Sequence, residues 1–67
     1  MSIDEFKKQV KDRLVIVLND KKYVDSLDDD IEKTYNQAKE LEPILGYGEP
    51  SVGGYVAGIS LLYPDLP

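Results

Sequence analysis

Carboxylates are the main reactive groups in this chain, because its 67 residues include 13 Asp and Glu but neither histidine nor cysteine. That absence removes the usual zinc ligands, the general base that titrates near pH 7 and the thiol nucleophile together. What remains is a carboxylate pair for acid and base work, or an oxygen cage for a hard cation. Asp28, Asp30 and Glu32 alternate as the first ligands of a calcium loop do. The sixth position of that loop, however, is Lys33 where the sharp turn needs glycine, and a helical pattern through the stretch splays the three side chains apart. The plain reading is an acidic helix N-terminus. Glu40, Glu42 and Glu49 are the remaining candidates for a catalytic pair. Gly46-Tyr47-Gly48 followed by Gly53-Gly54 has the glycine content of a phosphate cradle, but no Lys-Ser/Thr follows and no strand precedes it. These patterns predict a protein that is not an enzyme and holds no cofactor, metal or small-molecule substrate.

Binding to another protein is the chemistry left. The chain has five tyrosines, at 23, 35, 47, 55 and 63, a residue type suited to sites with one end buried and the other wet. Tyr35, Tyr55 and Tyr63 fall on apolar helical faces and read as rim-of-core residues. Tyr47 lies between two glycines on no such face, which makes it the best single candidate for a partner contact. Charge is uneven: residues 1–22 carry six basic and four acidic groups, residues 23–49 two basic and eight acidic, within a net charge of −5. An acidic middle argues against nucleic acid, since phosphates need a basic footprint. It suits a basic patch on a protein partner, with Asp29 and Asp30 presented to it, or it keeps the domain soluble.

These residues must be positioned by helices. Leu27, Ile31, Tyr35, Ala38, Leu41 and Leu45 recur at spacings of 4, 4, 3, 3 and 4, one face of an α-helix. Asp29, Asp30, Lys33, Asn36, Gln37 and Glu40 form its polar face. Asp25 or Ser26 can cap this helix, and Asp28-Asp29-Asp30 falls in the first turn, where the helix dipole favours negative charge. Asp29 and Lys33 are spaced for an i,i+4 ion pair. Pro43 places the end near Glu42, giving a helix over about 26–42.

Upstream, Ser2 and Glu5 have capping-box spacing, and Ile3, Phe6, Val10, Leu14, Val17 and Leu18 follow at helical intervals, predicting a helix over about 3–18. The run Leu14-Val15-Ile16-Val17-Leu18 also suits a short buried strand. If it is helical, Val15 and Ile16 point away from the stripe and must be covered by the third segment or another subunit. Asn19-Asp20-Lys21-Lys22 reads as a polar turn. In the third segment, about 52–63, Val52, Tyr55, Val56, Ile59, Leu62 and Tyr63 make a helical face, while Gly54 and Gly58 lie one turn apart beside Ala57. Each interior glycine costs about 1 kcal/mol against Ala, so the helix needs tight packing, and partly extended chain is the alternative. Gly54-x-x-x-Gly58 has the spacing of close helix approach, whether inside the domain or between subunits.

The whole is an all-α domain over 1–67, a small bundle of three helices. A chain this short buries only about 60 % of the surface its unfolded form exposes, and no disulfide helps it. Oligomerisation or binding to a larger partner is the common remedy. The acidic residues at the N-terminus are unlike a secretory leader. The longest uncharged stretch, Pro50 to Pro64, is 15 residues, against roughly 20 for a membrane span. A cytoplasmic protein, away from membranes, is expected.

The order of features is similar to the small helical head-tail connector, or neck adaptor, proteins of tailed phages. A short leading helix comes first; Asp28-Asp29-Asp30-Ile31 then opens a helix with Ala38 in its second half. A Gly/Pro loop and an apolar helix ending Val56-Ala57-Gly58-Ile59-Ser60-Leu61-Leu62-Tyr63 follow. The resemblance covers roughly residues 3–63 and implies an all-helical subunit, without catalysis, that docks on a portal or on its own copies in virion assembly. A competing reading is a small acidic binding protein, such as an immunity protein, antitoxin or phage-encoded inhibitor, that covers a basic site on one target.

Overall fold

The computed structural model describes the backbone of residues 1–45 and 50–63 and the side chains of residues 1–41 and 50–63. Four helices follow one another: α1 (Ile3–Leu18), α2 (Lys21–Asp25), α3 (Asp28–Leu45) and α4 (Val52–Leu62). The all-α bundle expected from the periodicities is the fold. α1 is its central element and packs against each of the other three.

Side-chain caps set where the helices begin. Ser2 Oγ accepts from the Glu5 N–H at 3.2 Å and starts α1. Residues 14–18 continue that helix without a break, since Leu14 and Leu18 stay in the register of Phe6 and Val10. α1 ends at Asn19, which takes the left-handed conformation (φ 52°) and returns its N–H to the Val15 carbonyl at 2.9 Å. Asn tolerates that conformation better than most residues do. Residues 21 and 22 depart from the expected turn. Asp20 accepts the Tyr23 N–H at 3.1 Å and caps a five-residue helix that takes in both lysines. Ser26, a candidate cap for the next helix, instead closes α2, its hydroxyl donating to the Tyr23 carbonyl at 2.6 Å. α3 starts two residues later than expected, with Asp28, Asp29 and Asp30 in its first turn. It also runs past Pro43 to Leu45, because a proline this close to the C-terminus removes only one donor from the ladder. The third segment is helical, with Ser51 Oγ accepting from the Gly54 N–H at 2.9 Å.

Phe6, Val10 and Leu14, four residues apart on α1, are fully buried, as are Val24 and Ile31; Val52 is 7 % exposed. Each such side chain contributes about 1.5–3 kcal/mol by leaving water. Tyr35 and Tyr55 flank Phe6 with ring centroids 5.6 and 6.4 Å away, tilted and edge-on, the geometries the ring quadrupoles prefer. Three expected core members stand outside. Leu41 is 45 % exposed, Val17 58 % and Leu62 59 %. Leu41 lies ten residues beyond Ile31, about 15 Å along α3, so the long helix outruns the core that α1 and α4 can close.

Charge at these two α3 positions therefore has unequal consequences. Ile31→Asp is expected to abolish cooperative unfolding by burying an unpaired carboxylate. Leu41→Asp should lower stability by about 1 kcal/mol or less, since its side chain already reaches water. Thermal melts followed by circular dichroism separate the two outcomes, and equal losses at both positions would contradict this core.

Candidate functional site

The carboxylates that alternate at the start of α3 do not converge. Lys11 on α1 meets Asp28 at 2.6 Å and Asp25 at 3.5 Å, and Lys7 one turn earlier meets Glu32 at 3.4 Å. Two α1 lysines thus clamp three acids of α2 and α3. Lys11 keeps its proton to higher pH than usual, mainly through its hydrogen bond to Asp28, and the same bond holds the Asp28 carboxyl below the usual carboxylate range. No group of three or more acidic side chains among the described residues could hold a metal ion. Glu40 is exposed, while the Glu42 side chain and Glu49 lie outside the described residues.

Tyrosine hydroxyls make the second set of ties. Tyr55 donates to Asp30 at 2.7 Å, Tyr63 to Asp20 at 2.7 Å and Tyr35 to the Met1 carbonyl at 2.7 Å. Tyr63 also stacks at a tilt on Tyr23, centroids 5.1 Å apart. Burial, then the Asp30 carboxylate, pushes the Tyr55 phenol well above its ordinary range. The Tyr63 hydroxyl lowers the Asp20 carboxyl and is itself raised by it, with the Tyr23 N–H as the second cause on Asp20. The rim-of-core tyrosines are therefore fasteners, and α4 is held to α3 through Tyr55 and to the α1–α2 corner through Tyr63.

Asp29 and Asp30 are both exposed, but only Asp29 projects without a bond, as no ion pair joins it to Lys33 among the described residues. Val15, 37 % exposed, sits one turn past Lys11 on the edge toward α2 and α3; Ile16, a further 100° around the helix, is 81 % exposed. α4 does not cover Ile16. The apolar candidates are thus on α1 and the acidic ones in the first turn of α3. Tyr47 lies outside the described residues.

The glycine face of α4, which its spacing offered either to packing inside the domain or to another subunit, is exposed. On α4, Gly53, Ala57 and Leu61 form one exposed column and Gly54, Gly58 and Leu62 the next, with Leu61 78 % and Leu62 59 % exposed. A Cβ on Gly58 would meet nothing within 4 Å, so close packing inside the domain does not account for that glycine; one on Gly54 would press on the capping Ser51 hydroxyl at 3.2 Å. The signal was available in the absence of any charged residue from Pro50 to Tyr63. No helix among the described residues is long and apolar enough to cross a membrane. No protein family model, no curated protein and no solved structure matches this chain.

The pKa directions fix the pH response. The lowered carboxyls of Asp20 and Asp28 contribute stability that is present above their unfolded value, about 3.9, and lost as pH falls through their folded values. The raised phenols of Tyr55 and Tyr63 and the raised ammonium of Lys11 contribute stability that is present below their ordinary values of 10.0 and 10.5 and lost as pH rises through their folded values. Tm should therefore hold between about pH 5 and 9 and fall on both sides. Tyr55→Phe, which deletes one hydroxyl bond, should lower stability by about 1 kcal/mol at pH 7 and flatten the alkaline limb. An alkaline limb unchanged in this variant would mean that the Tyr55 hydroxyl is not what holds α4.

Proposed function

We propose that the chain is a non-catalytic interaction protein, a subunit of the kind that docks on a larger assembly or on its own copies as the head-tail connectors of phages do. One observation carries the reading. A domain with only six buried hydrophobic side chains among its described residues leaves Ile16 81 % exposed in the middle of a regular helix, where it adds nothing to the fold. Large apolar side chains on a rigid helical face favour association.

The acidic-binder reading has less support. Asp25, Asp28 and Glu32 are engaged by lysines of the same chain and Asp30 by Tyr55, which leaves a thin negative surface for a basic target. Tyr47 stays a candidate contact on either reading, from its place between glycines.

Light scattering coupled to gel filtration, over a range of concentrations, tests the proposal. A large defined oligomer is expected, reduced by Ile16→Lys with helicity unchanged. A monomer at every concentration would end the self-docking form of the connector reading and favour a single-target binder.

A further inference from the structure

We infer that the Asp20 carboxylate is a conformational latch: it makes helix α2 conditional on the seating of the α4 C-terminus, so that the two open and close as one unit. Each of these helices packs chiefly on α1. What joins them to each other is the trio Asp20, Tyr23 and Tyr63. Asp20 Oδ1 accepts the Tyr23 N–H at 3.1 Å, and Oδ2 accepts the Tyr63 hydroxyl at 2.7 Å. One carboxylate thus holds the first turn of α2 with one oxygen and the end of α4 with the other. The Tyr63 ring also lies against Tyr23, centroids 5.1 Å apart, so the residue that is capped touches the residue that steadies the cap.

α2 has little else to start it. The Asp20 carbonyl accepts the Val24 N–H at 3.1 Å, so the side-chain cap and the first backbone bond both come from residue 20. Five residues are far below the length at which a helix persists unaided. Val24, fully buried, ties α2 to the core. Lys11 reaches Asp25 at 3.5 Å, a partly exposed pair of small worth. Neither contact orients the Asp20 side chain. Tyr63 does: with its hydroxyl on Oδ2, Oδ1 is left turned to the Tyr23 N–H.

The dependence runs both ways. Tyr63 closes α4 and returns its N–H to the Ile59 carbonyl. Its hydroxyl has a fixed acceptor only while Asn19 and α2 hold residue 20 in place. Coupling of two elements through one shared group is reciprocal, so unwinding of α2 frees the end of α4 and displacement of that end loosens α2. The latch is internal to the fold and holds whether or not the chain docks on a larger assembly.

Tyr63→Phe keeps the ring on Tyr23 and removes only the hydroxyl. Amide hydrogen exchange followed by NMR should then quicken about fivefold at Val24 and Ser26, the share of one hydrogen bond, relative to Val10 and Leu14 in the core of α1. The Asp20 carboxyl, held low first by the Tyr63 hydroxyl and also by the Tyr23 N–H and the Lys22 charge, should titrate nearer its ordinary value in the same variant. Tyr55→Phe deletes the other hydroxyl tie of α4, to Asp30, and should leave the exchange of Val24 and Ser26 relative to α1 unchanged. In the opposite direction, Ser26→Ala removes a bond that lies within α2 and should quicken exchange of the Tyr63 amide by a like factor. α2 amides unmoved by Tyr63→Phe, or moved as much by Tyr55→Phe, would mean that Val24 alone holds α2 and would overturn the latch. A Tyr63 amide indifferent to Ser26→Ala would overturn its reciprocity, and with it the single opening unit.

Discussion

The burial of Phe6 is the constraint on which the rest of the molecule depends. It is the one phenylalanine in the chain, fully buried, with Val10 and Leu14 completing its column along α1. Its ring is where α3 and α4 meet α1, through Tyr35 and Tyr55. Helices with so few buried side chains cannot be held by area alone. Orientation therefore matters as much as hydrophobicity: two amphipathic rings bury their edges against Phe6 and keep their hydroxyls at the surface. There they bond to Met1 and Asp30.

The polar half of the molecule follows the same economy. An acidic protein risks self-repulsion in its compact form, and here the acids are spread over separate jobs. Three meet lysines of α1, one caps α2, and Asp20 and Asp30 accept from tyrosines of the α4 segment. Asp20 does two of these at once, capping Tyr23 while receiving Tyr63. Exposed ion pairs of this kind each add little. Together they specify which helix edge faces which.

Much of this fold could be read from residue order. The i,i+4 column Phe6-Val10-Leu14, the Ser2 and Ser51 caps and the acidic opening of α3 are local signals, and local signals decide where helices form. The misplacements share a cause. Leu41, Val17 and Leu62 lie in register with a core face yet stay outside, because periodicity says which side of a helix is apolar and not how far along it a neighbour reaches. α2 was missed since one turn gives no periodicity; its cue was Asp20 three residues before Tyr23. The candidate surface was legible only in part. Val15 and Ile16 stood out as apolar residues off the stripe, but that the glycines of α4 face outward depends on where Tyr55 and Tyr63 anchor the helix.

Those two anchors also hold a helix that is weak by itself. The partners of Tyr55 and Tyr63 lie 25 and 43 residues earlier in the chain, separations of the same order as the 34 residues between Tyr35 and Met1. A segment with glycines at 53, 54 and 58 has little helicity to offer beforehand. α4 therefore owes its helicity to the surface it docks on, which is mainly that of α1. Detaching α4 would strip Tyr55 from the Phe6 ring that it flanks.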